Sequence, residues 1–209
     1  MEIAIVIYDR FTALDAIGPY EVLSRLPGAA VTFLAAEAGP VTTDNGMLTV
    51  HAERSLADAP QPDLLLVPGG PGEVAARAGG SVLEWVAAAH EHASWTTSVC
   101  TGSLVLAAAG VLAGRRATSH WLALGQLRAL GADPVQERVV FDGHIVTAAG
   151  VSAGIDMALA LAERIAGRDV AQAIQLGIEY DPQPPLNAGS PQSAPPEIVA
   201  ALRARSRFA

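Results

Sequence analysis

Four short runs of this chain, Ile3–Tyr8, Val31–Leu34, Leu64–Val67 and Thr96–Val99, are apolar or β-branched almost throughout and alternate with helical patterns. A strand wetted on one face alternates apolar with polar residues. An unbroken run instead belongs to a strand covered on both faces, as in a parallel sheet flanked by helices. Between the runs the spacing predicts helices over Ala16–Leu26, closed by Pro27-Gly28, over Val74–Arg77 and over Val82–His92, with another over Leu104–Ala109. This alternation is the pattern of a doubly wound α/β sheet. Further on, a helix is expected near Trp121–Leu130, then a hairpin of Arg138–Phe141 and His144–Thr147 around Asp142-Gly143. A helix over Ile155–Ile165 breaks at Gly167 and resumes from Asp169 to about Glu179. The six prolines of Asp181–Pro196 predict an extended or mobile strap, and Glu197–Arg205 a last helix. Residues 1–180 are thus expected to form the α/β domain, with 181–209 part of the same domain or a dimer contact.

Over 209 residues, 51% hydrophobic content supplies core for one domain. With 13 Lys+Arg against 21 Asp+Glu the net charge is −8, which argues against a nucleic-acid partner. Arg203, Arg205 and Arg207 read as a solvated helix end. The first apolar run has no basic residues before it and stops at Asp9-Arg10, so it reads as a strand and not a signal peptide. No apolar stretch reaches the roughly 18 to 20 residues of a membrane span, and a cytoplasmic protein is expected. A single cysteine excludes an intramolecular disulfide and any CxxC site. No His, Cys, Asp and Glu grouping has metal-ligand spacing, so neither metal nor cofactor is indicated.

That cysteine, Cys100, ends the strand-like run Trp95–Val99 and is followed at once by Thr101-Gly102-Ser103 and a helical pattern, the layout of a nucleophile elbow. At a helix start a thiol is expected to have a lowered pKa, and free N–H groups there could hold an oxyanion. The competing reading is a small buried hydrophobe. Ligands of open α/β sheets bind beyond the carboxyl ends of the strands, which singles out two further segments. In Asp15-Ala16-Ile17-Gly18-Pro19-Tyr20-Glu21, Asp15 is either a helix N-cap or a proton carrier for the sulfur. Glu21 is either solvated or in the same role. In Pro68-Gly69-Gly70-Pro71-Gly72, the glycines permit backbone approach, and Gly70 retains an N–H for a ligand. Among the histidines, His120 in Thr118-Ser119-His120-Trp121 is the best-placed base, at the expected end of a short strand. His90 and His92 are expected on the surface, His51 near a hairpin, and His144 in a hairpin strand.

Together these segments resemble the ThiJ/PfpI superfamily, and within it the isonitrile hydratase-like branch. The carriers are Ile5-Val6-Ile7-Tyr8-Asp9, Asp15-x-x-Gly18-Pro19-x-Glu21, Val67-Pro68-Gly69-Gly70, Val99-Cys100-Thr101-Gly102-Ser103, Arg116-Ala117-Thr118-Ser119-His120-Trp121 and Thr147-Ala148-Ala149-Gly150-Val151-Ser152-Ala153-Gly154-Ile155-Asp156. The resemblance implies a flavodoxin-like, mostly parallel sheet with helices on both faces and a nucleophile elbow like that of class I glutamine amidotransferases. It also implies Cys100 as nucleophile, Asp15 as neighbouring acid or base and Thr101 as a helper. The pocket would be lined by Gly70, Gly150 and Val151, with Ile17, Trp121 and His120 as further substrate contacts. The implied reaction is cofactor-independent hydration of an isonitrile to an N-substituted formamide through a cysteine thioimidate, carried out by a homodimer. The alternatives are a glyoxalase or deglycase-like activity on small carbonyls, and a cysteine-based redox or ligand sensor. Thr101 stands where PfpI-type peptidases of the superfamily have histidine, which disfavours proteolysis. Residues 180–209 are too few for the DNA-binding region of the regulator branch.

Overall fold

The structure is a computed structural model that describes residues 1–208. In chain order it comprises β1 (Glu2–Val6), α1 (Ala13–Leu23), β2 (Ala30–Ala35), β3 (Gly39–Thr42), β4 (Thr49–Ala52), β5 (Arg54–Ser55) and β6 (Leu64–Val67). There follow α2 (Glu73–Ala76), α3 (Ser81–His90), β7 (Trp95–Val99), α4 (Gly102–Ala108), β8 (Arg116–Ala117), α5 (Leu124–Ala129) and β9 (Asp133–Pro134). The chain closes with β10 (Val139–Asp142), β11 (Ile145–Ala148), α6 (Ala153–Ala166), α7 (Arg168–Gly177) and α8 (Pro196–Ala204).

The main sheet has the order β10-β11-β7-β6-β1-β2-β5. All neighbours are parallel except β10 against β11. The apolar runs sit where two-sided burial demands: Ile5 and Leu64 to Leu66 have no exposed surface. From β1 the chain crosses to β2 on one side, whereas from β6 it crosses to β7 on the other. Right-handed crossovers therefore put α1 and α3 on opposite faces. α6 packs against α1 and α7, and α4 against α3. The sheet is doubly wound as expected, and the direction of winding switches between β1 and β6. Their carboxyl ends, with that of β7, frame the crevice in which such folds bind ligands.

Several boundaries differ from the sequence reading. α1 begins at Ala13 and not Ala16, because extended Thr12 is its N-cap; Asp15 lies inside the first turn. The helix also ends at Leu23, before Pro27. The hairpin is shifted by one residue: Asp142 pairs with Ile145. Gly143, with φ +64°, takes the first turn position, where left-handed backbone suits glycine. His144 therefore lies in the turn and not in a strand. The segment after β8 starts with a 3-10 turn, Trp121–Ala123, and His120 accepts the Leu122 N–H at its head instead of ending a strand. His90 is not a free surface residue: its Nδ1 is 2.8 Å from Thr96 Oγ1 and its ring stacks on His144. His51 lies on β4 of the small β3–β4 hairpin. Between α7 and α8 the described chain forms turns and bends, without strand or helix. No helix among the described residues is long and apolar enough to cross a membrane.

Candidate active site

Cys100 leaves β7 in a left-handed conformation, φ +57°, which costs a residue with a Cβ about 1–3 kcal/mol. Its surroundings hold it there. Its N–H is shared between the carbonyls of Ala148 and Ala149, 3.0 Å each. Its carbonyl accepts the hydroxyls of Ser103 (3.1 Å) and Ser119 (3.0 Å). The turn can close because residue 102 is glycine: a Cβ there would overlap the Val67 carbonyl oxygen. The strand-to-helix elbow expected from sequence is thus present and braced from four directions.

Asp15 arrives from the first turn of α1. It is fully buried. Its Oδ2 accepts the Gly69 N–H at 2.9 Å, while Oδ1 has no hydrogen-bond partner within the chain. The carboxyl and the Cys100 thiol lie close enough that each changes the other's titration. Burial raises the Asp15 pKa to about 7, against the lowering effects of the Gly69 N–H and the thiol. The thiol moves contrary to the sequence expectation. Burial first, and then the adjacent Asp15 charge, push it far above the ordinary range, although the N–H groups of Val151 and Thr101 favour the thiolate. The helix-start argument is outweighed because desolvation penalises the anion more than two N–H groups stabilise it. The resting pair is therefore a protonated thiol beside a carboxyl group that titrates near neutrality.

The loop after β6 joins these groups. Thr101 Oγ1 accepts the Gly70 N–H at 2.9 Å. That N–H, expected to be free for a ligand, is spent inside the protein. The residue missed from sequence is Gly69. A Cβ on Gly69 would lie 2.5 Å from the Thr101 nitrogen, 2.7 Å from Thr101 Oγ1 and 2.9 Å from Asp15 Oδ2. Gly69→Ala should cost roughly 1–3 kcal/mol of stability and, by parting Asp15 from Thr101, at least about tenfold in any activity that needs both. Thermal unfolding with an activity assay checks both effects. No local signal distinguishes Gly69 from Gly70; what approaches each one does.

Val151 has φ +30°, unusual for a β-branched residue, and its N–H is one of those serving the sulfur. Beside it opens a cavity of about 400 Å³ lined by His120, Trp121, Gly150, Val151 and, from the strap, Pro191 and Gln192. Four of the expected contact residues thus share one wall. Gly70 and Ile17 are absent from that lining, which Leu14 of α1 joins instead, and Cys100, Asp15 and Thr101 lie outside it. His120 packs against Gly150, where a Cβ would come 2.8 Å from its ring. Glu21 is exposed and pairs with Arg25 at 2.8 Å, outside the site. No group of three or more His, Cys, Asp and Glu residues among the described residues is arranged to hold a metal ion.

A profile of the DJ-1/PfpI family matches residues 1–164. The chain is 42% identical over 206 residues to an isonitrile hydratase of Pseudomonas putida, covering 99% of this chain and 90% of that protein. It is 29% identical over 149 residues to a deglycase of Pyrococcus abyssi, covering 70% and 89%. The crystal structure of a ThiJ/PfpI family protein from Pseudomonas syringae superposes with a TM-score of 0.94 at 38% identity, over 97% of this chain and 84% of that one.

Proposed function

The chain belongs to the DJ-1/PfpI family, and from that premise we propose that it hydrates isonitriles to N-substituted formamides, with Cys100 as nucleophile and Asp15 as proton carrier. The buried Asp15–Cys100 pair under the Val151 and Thr101 N–H groups carries this reading. An isonitrile carbon demands a soft nucleophile and a proton in the same encounter, and the pair holds one of each.

In the proposed reaction Cys100 Sγ adds to the terminal carbon of R–N≡C while ionised Asp15 takes the thiol proton. Asp15 returns that proton to the same carbon, giving the thioimidate R–N=CH–S. Water then adds to this carbon, one of its protons going to nitrogen. The tetrahedral R–NH–CH(OH)–S collapses as its hydroxyl loses a proton and the C–S bond breaks. R–NH–CHO leaves, and the sulfur recovers a proton through Asp15. The balance is one isonitrile plus one water to one formamide. The Val151 and Thr101 N–H groups stabilise negative charge on sulfur as it attacks and as it departs. The cavity beside Val151, about 400 Å³, receives the R group.

Similarity to the Pyrococcus deglycase supports a second reading, reaction of the same thiol with small carbonyl compounds. The sensor alternative would use the same thiol, whose thiolate form is opposed by burial and by Asp15. Turnover of cyclohexyl isocyanide and of methylglyoxal under one set of conditions separates the readings. Formamide formation with a higher kcat/KM than carbonyl consumption is expected; the reverse order would transfer the assignment to the carbonyl reaction. A homodimer in the cytoplasm completes the proposal, and a light-scattering mass near the 21.5 kDa of one chain would remove the dimer.

A further inference from the structure

Glu73 is completely buried at the start of α2. Its Oε2 meets Arg77 Nε at 2.6 Å, and its Oε1 lies 3.1 Å from Arg207 Nη2, close enough for an ion pair but not aligned as a hydrogen bond. The same Arg207 Nη2 donates to the Gly70 carbonyl at 3.2 Å. Arg207 is thus not the solvated helix end that its sequence suggested. The tail returns to the body through Phe208, which packs against the core, and through Arg203, whose guanidinium stands 5.7 Å from the Trp121 ring.

Gly70 is the next link. Its carbonyl accepts from Arg207, while its N–H donates to Thr101 and the preceding N–H, of Gly69, donates to Asp15. The Gly69 carbonyl in turn accepts the Thr12 N–H at 2.9 Å, tying the loop to the head of α1. The loop has no side-chain mass of its own with which to resist movement at residues 69 and 70. Its outer side is held by one guanidinium nitrogen that reaches the Gly70 carbonyl and the Glu73 carboxylate together.

We propose that Arg207 is a positioning residue, clamping the Gly69–Glu73 loop from outside so that its two N–H groups keep Asp15 and Thr101 in place around Cys100. The proposal rests on Asp15 and Cys100 being the reacting pair. Without Arg207, Glu73 has Arg77 alone for its buried charge, and the Gly70 carbonyl loses its fixed charged donor. The loop relaxes, and the Gly69 hydrogen bond that favours ionised Asp15 weakens.

The test compares wild type, Arg207→Ala, Arg207→Lys and, as a control on the same tail, Arg205→Ala. One arm measures isonitrile turnover. The other measures the pH dependence of Cys100 alkylation by iodoacetamide, read by intact mass on the chain's one thiol. Arg207→Ala is expected to lower kcat about tenfold with KM within about twofold. It should also move the Asp15-controlled inflection of alkylation upward from about 7. Arg207→Lys should recover part of both, and Arg205→Ala should match wild type. Wild-type kcat and alkylation in Arg207→Ala would overturn the proposal, as would a rise in KM alone with the alkylation profile unmoved. If the wild type hydrates no isonitrile, the alkylation arm still decides the role of Arg207, so that failure is distinguishable from failure of the proposed reaction.

Discussion

Asp15→Asn lowers isonitrile turnover by about 10²–10⁴-fold, the usual contribution of a positioned acid or base, and at pH 8 makes the protein more stable than wild type. Both effects follow from one buried carboxyl group. The substituted amide retains an oxygen for the Gly69 N–H but can neither take the thiol proton nor deliver it to carbon. The stability effect has a definite sign. The folded-state pKa of Asp15 is raised from an ordinary 3.8 to about 7, so between those values the folded chain binds a proton that the unfolded chain has released. Stability therefore falls as pH rises through this window, by on the order of 4 kcal/mol when Asp15 is fully ionised. An amide does not titrate. Thermal unfolding at pH 4 and pH 8 should find the variant close to wild type at the lower pH and higher in Tm by about 5 °C or more at the upper. Equal Tm differences at both pH values would contradict the assignment of this charge to Asp15.

Cys100→Ala removes the nucleophile and should lower formamide production by at least about four orders of magnitude, to the uncatalysed background. The fold should survive. The sulfur lies in a site already polarised by Asp15, and the elbow is held by backbone and hydroxyl contacts that do not use Sγ. Residue 100 still adopts φ +57°, so alanine pays the same backbone cost as cysteine. Circular dichroism and thermal unfolding check the fold; formamide absorbance checks the rate. Retained turnover in a folded Cys100→Ala protein would remove cysteine from the mechanism.

The sheet was legible because its strands are buried on both faces: Ile3–Tyr8 and Leu64–Val67 leave periodicity little room for another reading. The start of α1 was not legible. Asp15 has the side chain of an N-cap, yet Thr12 occupies that position without a side-chain cap, and Asp15 spends its oxygen on Gly69, 54 residues away. Local propensity cannot report such a bond. The elbow at Cys100 was readable from strand, cysteine and small residues in succession. The direction of its titration was not, because the helix start is local whereas burial and Asp15 are tertiary. Distance explains Arg207 as well. It meets Gly70 across 137 positions, and its arginine-rich neighbourhood resembles any solvated helix end. A buried glutamate next to a glycine loop is the feature that demands such a partner, and only the fold reveals that Glu73 is buried.

The measurement that tests the central claim most directly is the intact mass of the chain, acid-quenched at intervals through a single turnover of cyclohexyl isocyanide, with formamide assayed in the same samples. The proposed reaction predicts a transient species heavier by one whole isonitrile, since the addition expels no leaving group. It should map to Cys100 and decay as formamide appears. Formamide released while every sample carries the unmodified chain mass would contradict nucleophilic attack by Cys100.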